Sequence, residues 1–319
     1  MQQTSLQRRA FHKKPRLAEI TVRPLAEKAL IIHESARVIE QDRRLAEQAK
    51  LGRLEGEQWF RNYSAWFRIA FSNPINFKSP NSELSLLQEN KSILLPLIRN
   101  RLQVHYGVGV GETEQQLVIW QLEAAKRAEI AAIDCEREFL LNFTDNLAQR
   151  KIDFGSRQMM FLGRNCLFSE VQPAWLDFAN SSSNSMCHIC LGSTIGNFRP
   201  QQEIWEVFSR NANKGDLLLL GFQLDTYLQE TLRKYASHSA YPAFVMNRLE
   251  APVTFHPIWS ADSKSGFISL HLGNTEVFRA RKYKKGKVAE ELAPFGFSPV
   301  LELIDKWKNY CIAVFGKVS

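Results

Sequence analysis

Two stretches of this chain combine residue types and spacings that can do chemistry. The first is Gly107-Val-Gly109-Val-Gly111, set between a short apolar run, Gln103 to Tyr106, and a helical pattern from Thr113 to about Lys126. Glycines there let the backbone turn tightly and come close to a ligand. The helix start behind them offers unpaired N–H groups and a positive dipole to an anion. The spacing is GxGxG and no Lys-Ser/Thr follows, so nucleoside triphosphate hydrolysis is set aside. Asp134 ends the next strand-like run, Glu129 to Asp134. An acid at that place can take both hydroxyls of a ribose. It can equally cap the following helix, and the two roles are compatible. Strand, glycine-rich turn, helix, strand and acid form half of a nucleoside-binding unit.

The second stretch is Cys190-Leu-Gly-Ser-Thr-Ile-Gly-Asn-Phe-Arg-Pro200. An apolar strand, Met186 to Leu191, stops at small polar residues, and Asn197 follows. In a doubly wound sheet, ligands bind beyond the C-terminal strand ends. An asparagine there can hold an amine, a carboxylate or an amide, because its side chain both donates and accepts. A turn that needs Asn and Gly for its backbone geometry would look the same. Cys187-His188-Ile189-Cys190 invites a redox or zinc reading. Strand alternation sends its members to different faces, however, and no second CxxC exists, so it reads as core. The histidines show no metal-ligand spacing. Asn73-Pro74-Ile75-Asn76 is a fragment of the Asn-Pro-Pro-aromatic motif of nucleic-acid amino methyltransferases. It lacks the second proline and precedes the glycine-rich turn, and reads as chance.

The elements that must position these groups alternate. Strands are expected at 103–106, 129–134, 159–162, 186–191 and 217–222, with helices at 113–126, 136–147 and 200–212 between them. Such alternation predicts a parallel sheet covered on both faces. A helix from Thr226 to about Ala236 and three strand-like runs, 253–260, 266–272 and 276–283, read as a small antiparallel insertion. Helix 287–293 and strands 299–304 and 309–317 close the chain, the last two as an antiparallel hairpin. That reversed hairpin favours S-adenosylmethionine over a dinucleotide, by analogy of fold. Ahead of the sheet, Leu25, Ala29, Ile32, Ala36 and Ile39 recur at helical spacing, and the aromatics Trp59, Phe60, Tyr63, Trp66, Phe67 and Phe71 continue it, so residues 24–71 are expected to be helical. Another helix is expected from Ser82 to about Arg99, while Met1 to Arg16 reads as a loose tail.

The expected fold class is α/β, a Rossmann-like sheet, parallel with an antiparallel C-terminal hairpin, with a helical N-terminal part and a small antiparallel β insertion. The analogy of fold, not the periodicity, makes it a class I methyltransferase sheet with the insertion as a substrate lid. The expected divisions are a helical N-terminal cap (1–92), a cofactor-binding core (93–222), an α+β lid (223–286), and a closing helix and hairpin (287–319). With 45% hydrophobic and 23% charged residues, the chain is globular and holds no stretch long enough to span a membrane. Five cysteines at irregular spacing imply reduced thiols and a cytoplasmic setting. The formal charge of +8 gathers in the tail and in Arg279 to Lys287. A solvated surface explains that better than nucleic-acid binding, because no nucleic-acid motif accompanies it.

Leu191-Gly-Ser-Thr-Ile-Gly-Asn-Phe198, followed by Pro200 and Gly215-Asp-Leu-Leu-Leu-Leu-Gly221, resembles the histidine α-N-methyltransferase family of ergothioneine biosynthesis, whose fungal relatives methylate prenylated tryptophan. The resemblance covers roughly residues 55 to 318. It implies that S-adenosylmethionine is the cofactor and that Gly107, Gly109 and Gly111 hold its methionine part, with Gly192 and Ser193 beside it. Asp134 then holds the ribose, and Asn165 faces the adenine where the family has an acid. On the acceptor side the resemblance implies Thr194, Asn197 as anchor of the amino and carboxylate groups, and Tyr235 beside it, with Phe244 and Asn247 continuing the family pattern.

The departures bear on the substrate. The family's histidine-specific Glu-x-Ser, just before a Tyr-Lys-Tyr, corresponds to Phe278-Arg279-Ala280 before Arg281-Lys282-Tyr283, and Leu270 stands for a methionine beside the imidazole. A site that has lost the polar groups for a ring loses its preference for that ring. In the N-terminal part, Phe77-Lys78-Ser79-Pro80 stands where a tyrosine-rich turn belongs. The expected activity is thus N-methylation of a small amino acid or derivative other than histidine. Two alternatives remain: a cofactor-binding protein that has lost methyl transfer, and a nucleic-acid methyltransferase. Partners beyond a small-molecule amine, and the oligomeric state, are not legible.

Overall fold

The structure is a computed structural model that describes residues 17–25, 28–35, 47, 50–51, 78–109, 111–125, 127–149, 158–176, 185–198, 201–237 and 258–319. The tail at 1–16, the aromatics at 59–71, Asn73 to Asn76, Phe77, Phe244, Asn247 and the start of the run at 253 lie outside the described residues.

Five strands run parallel: β3 (Leu102–Tyr106), β4 (Arg127–Asp134), β5 (Gln158–Asn165), β6 (Met186–Cys190) and β7 (Leu217–Gln223). They read as unbroken apolar runs because both faces are covered. In β7, Leu217 to Phe222 are all buried. The closing strands β11 (Phe297–Ile304) and β12 (Tyr310–Lys317) form the expected hairpin, and β12 joins β7 antiparallel. With β1 (Leu17–Leu25) and β2 (Lys28–Ser35) at the other edge, the whole sheet has the order β1-β2-β5-β4-β3-β6-β7-β12-β11. A second sheet, in the order β10-β9-β8, consists of β8 (Ile258–Asp262), β9 (Phe267–Leu272) and β10 (Thr275–Arg281).

Helices α1 (Lys78–Glu89), α2 (Lys91–Ile98), α3 (Glu112–Ala125) and α4 (Arg137–Gln149) follow the N-terminal half of the sheet. Helix α5 (Gln202–Asn211), α6 (Leu228–Ser237) and α7 (Lys287–Leu292) complete the set. Leu86, Leu87, Leu94 and Leu117 pack on the sheet face that carries Cys187, Ile189 and Leu219. Trp205, Phe208, Val288 and Leu292 pack on the opposite face, with Cys190, Leu218 and Leu220. Cys187 and Cys190 thus lie on opposite faces, both buried and neither in a disulfide, which fits core packing. His188, between them, is buried and bonds the Tyr106 hydroxyl through Nδ1 at 3.1 Å.

The helical expectation for 24–71 needs correction at its start. Residues Leu17–Leu25 and Lys28–Ser35 are strands β1 and β2, an antiparallel hairpin whose β2 joins β5 in parallel, Ile31 opposite Leu162. The apolar spacing fitted a helix, but Ile20-Thr21-Val22 and Ile31-Ile32 are β-branched runs that favour a strand. Pro24, which lacks an N–H, lies on the edge strand, where that donor is least missed. The expected single helix from Ser82 to Arg99 starts earlier, at Lys78, and breaks at Asn90.

Candidate active site

Strand order reverses between β3 and β6, so the turns that follow these two neighbours open a crevice at the C-terminal edge of the sheet. The turn after β3 is the glycine-rich one, and Gly107, Gly109 and Gly111 all have positive φ. The turn after β6 begins with two left-handed residues, Gly192 (φ 68°) and Ser193 (φ 63°). For serine that conformation costs on the order of 1 kcal/mol, so the surroundings must hold it. The Ser193 N–H donates to the Gly221 carbonyl (3.1 Å), and the Thr194 hydroxyl closes the turn on the Leu191 carbonyl (2.9 Å). The two turns touch. A Cβ placed on Gly107 would stand 3.2 Å from Phe168 and 3.5 Å from the Thr194 methyl. Glycine at 107 is favoured by its φ of 73° and by the close approach of Phe168, while the Thr194 turn lies at ordinary contact distance.

Asp134 lies at the end of β4, buried, directly beneath the glycine-rich turn. Its Oδ2 accepts the Gly109 N–H (3.2 Å) and its Oδ1 accepts the Glu136 N–H (2.9 Å). It thus braces the turn and the entry to α4 together. Each carboxylate oxygen keeps acceptor capacity beyond these bonds. Burial pushes the Asp134 carboxyl up to about 7, against the pull of those N–H groups. Asn165, opposite Asp134 in the β4–β5 register, donates through Nδ2 to the Asp134 carbonyl at 3.0 Å. It therefore sits where its amide fixes the acid in place.

Two further carboxylates share this edge and escaped the sequence reading. Glu83 on α1 is buried, and both its oxygens face the Gly192 N–H at 3.1 and 3.2 Å. Burial raises its carboxyl to about 7, while the Tyr310 hydroxyl and the Gly192 N–H beside it pull the other way. Glu114, in the first turn of α3, is buried too and held well above the usual carboxylate range, by burial first and by Glu83 next. Among the described residues none of these three carboxyls is in an ion pair. Such an edge suits a ligand that brings positive charge and hydroxyl donors. S-adenosylmethionine, with a sulfonium, an ammonium and ribose hydroxyls, fits that set. The sequence signal for Glu83 was present as Ser82-Glu83, but it read only as a helix start.

Asn197 ends the short 3-10 turn Thr194–Asn197 and is half-buried; its side chain has no partner among the described residues. The turn is clasped from the far side by the residues that follow β10. Tyr283 donates its hydroxyl to the Ile195 carbonyl (3.2 Å), and a Cβ on Gly196 would stand 2.5 Å from the Arg281 carbonyl oxygen. Gln201 also bonds the Ile195 carbonyl.

The insertion gathers the remaining predicted residues. Directly paired residues point to the same side of a sheet. Trp259, Leu270 and Phe278 form one such cross-strand row. Ala280 lies two positions beyond Phe278 and so shares its face. Leu270, Phe278 and Ala280 are buried. Tyr235, on α6, packs edge-on against Trp259 at 5.4 Å, and Trp259 against Phe278 at 6.2 Å. Leu270, Phe278 and Ala280 thus form the packed face of the second sheet, with Tyr235 at its margin. Trp259 was missed because its run begins outside any family motif.

The basic run after Phe278 does not present a bare cationic stripe. Arg279 pairs with Glu276, Arg281 with Glu291, Lys285 with Glu302 and Lys287 with Glu290. Among the described residues no group of three His, Cys, Asp or Glu could hold a metal ion, and no helix is long and apolar enough to cross a membrane.

Comparison with curated proteins finds no match. Among solved structures, the chain is similar to magnesium protoporphyrin IX methyltransferase from Synechocystis PCC 6803 with bound S-adenosylhomocysteine. The identity is 14% and the TM-score 0.47, over 82% of this chain and 97% of that one. It is likewise similar to an S-adenosylmethionine-dependent methyltransferase from Clostridium acetobutylicum (8%, TM-score 0.46, 81% and 98%). A possible histamine N-methyltransferase from Thermotoga maritima is a third (10%, TM-score 0.44, 80% and 97%). Likeness this loose decides neither substrate nor site. The sequence itself matches the histidine-specific, S-adenosylmethionine-dependent methyltransferases over residues 57–252, well over half of the chain. The chain belongs to that family and is an S-adenosylmethionine-dependent methyltransferase.

Proposed function

We propose that the protein methylates the amine of a small amino acid or amino-acid derivative other than histidine. The observation that supports this reading is the closeness of the Gly107 turn and the Thr194 turn, the latter ending in a half-buried Asn197 with no side-chain partner among the described residues. Gly107, Gly109 and Gly111 would hold the methionine part of the cofactor, with Gly192 and Ser193 adjoining. Asp134, held by Asn165, would take the ribose hydroxyls. The bound cofactor supplies an electrophilic methyl on a sulfonium.

The chain's own task is positioning. In-line displacement requires the acceptor nitrogen behind the methyl, and orientation alone is worth several orders of magnitude in rate. Asn197 can accept from an amine and donate to a carboxylate. Tyr235, whose hydroxyl accepts from Lys282, would be a second group on the acceptor side. An α-amine, with a pKa of roughly 8–10, needs little help to lose its proton. Loss of the polar pair at 278 and 280 supports an apolar or aromatic acceptor side chain in place of imidazole.

Calorimetry with S-adenosylhomocysteine, followed by amino acids added to the loaded protein, tests the reading. The expected result is tight cofactor-product binding and then binding of an amino acid other than histidine. No binding of S-adenosylhomocysteine would overturn it.

A further inference from the structure

We infer that Lys282 is a recognition residue for a carboxylate on the methyl acceptor, so that the substrate is a free amino acid and not a decarboxylated amine or an ester. This rests on the methyl-transfer reading above and deepens it.

Lys282 directly follows β10, its N–H bonds the Gly266 carbonyl (2.8 Å), and its side chain reaches Tyr235, which packs on Trp259 of the cross-strand row. It is only 3% exposed. Its Nζ donates to the Tyr235 hydroxyl at 3.3 Å and lies 5.3 Å from that ring's centroid. Among the described residues it has no carboxylate partner, whereas Arg279, Arg281, Lys285 and Lys287 around it each pair with a glutamate. An ammonium has three N–H donors. One hydroxyl and one aromatic face offset only part of the cost of burying the charge. What is missing is an anion.

The position says which anion. The residues on either side of Lys282 grip the acceptor turn: the Arg281 backbone lies against Gly196, and the Tyr283 hydroxyl bonds Ile195. The chain at Lys282 therefore borders the turn that carries Asn197, while its Nζ reaches the helix that carries Tyr235. A substrate whose amine meets Asn197 and Tyr235 carries its carboxylate one carbon away, within the region an ammonium on Tyr235 serves. The apolar row Trp259, Leu270 and Phe278 adjoins Tyr235 through Trp259. In the sequence, Lys282 was hidden inside a basic run.

The test uses the full chain loaded with S-adenosylhomocysteine. The twenty amino acids are screened by calorimetry, and the best binder is compared with its own methyl ester and its decarboxylated amine. The wild-type protein is expected to prefer the acid at least tenfold. Lys282→Met is expected to abolish that preference while leaving the dissociation constant of S-adenosylhomocysteine within threefold, and Lys282→Arg to restore part of it. Equal binding of acid and ester by the wild type would overturn the inference, as would no binding by any amino acid, or a preference that survives in Lys282→Met. Should Lys282→Met fail to fold by melting, the wild-type acid-to-ester ratio and Lys282→Arg decide alone. Failure to bind S-adenosylhomocysteine at all would instead overturn the methyl-transfer reading.

Discussion

In the proposed site, the cofactor side of the crevice consists of backbone turns of the central sheet and buried carboxylates. The proposed acceptor side consists of side chains carried by one helix and by a separate three-stranded sheet. The first half is tied into the core through strand ends: Asp134 braces both the glycine-rich turn and α4, and Glu83 braces the turn after β6. Among the described residues the second meets the core through Arg281, against Gly196 and paired with Glu291, and through Tyr283, bonded to Ile195, Gln223 and Asp225. On the proposed reading, acceptor-side residues can change without disturbing how the cofactor is held, and the apolar Phe278 and Ala280 beside the Gly192–Phe198 block fit that kind of change.

The contact between the halves is the place to break first. Gly196→Ala puts a methyl against the Arg281 carbonyl, 2.5 Å from it without relaxation, and forces the two apart. Displacement on the order of 1 Å costs about a hundredfold in rate. The expected outcome is a fall of about a hundredfold in methyl transfer with S-adenosylhomocysteine affinity within threefold of wild type, measured by kinetics and calorimetry.

Asp134→Asn attacks the cofactor half alone. Losing hydrogen bonds to a charged group costs about 1.5–3 kcal/mol, or roughly ten- to a hundredfold in affinity. The wild type should also bind S-adenosylhomocysteine more tightly as pH rises. Burial holds the Asp134 carboxyl at about 7 in the free protein, while donors on the ligand favour its charged form. The competent fraction then grows about tenfold between pH 6 and pH 8, and affinity with it. Asp134→Asn should flatten that dependence.

The acceptor half yields to Asn197→Ala, with an expected loss of about ten- to thirtyfold in kcat/KM and no change in cofactor affinity. The smallest effect concerns stability. Glu83 is raised from 4.5 to about 7, so the folded state favours its neutral form. The stability this contributes is full below about 4.5 and is lost as pH rises through 7. Glu83→Gln cannot ionise. It should therefore melt higher than wild type at pH 8, by on the order of 2 kcal/mol, and match it at pH 5.

The sheet was largely legible from sequence, because parallel strands buried on both faces leave continuous apolar runs such as Leu217 to Phe222. The closing hairpin was legible from the short polar turn between Ile304 and Asn309. The N-terminal hairpin was not, since Leu25, Ala29 and Ile32 fit a helical period as well as a strand, and pairing with β5 decides the matter at long range. Of the site, the two turns and Asp134 announced themselves by glycine spacing and position at strand ends. Glu83 and Lys282 did not. Their significance lies in what surrounds them after folding: a backbone N–H contributed from Gly192, and a tyrosine ring contributed from α6.

The most direct measurement supplies methyl-labelled S-adenosylmethionine and the twenty amino acids to the purified protein and locates the label by mass spectrometry. The account predicts label on the α-nitrogen of an apolar or aromatic amino acid, with histidine a poor acceptor. Histidine as the preferred acceptor, or no label on any amino acid, would contradict it.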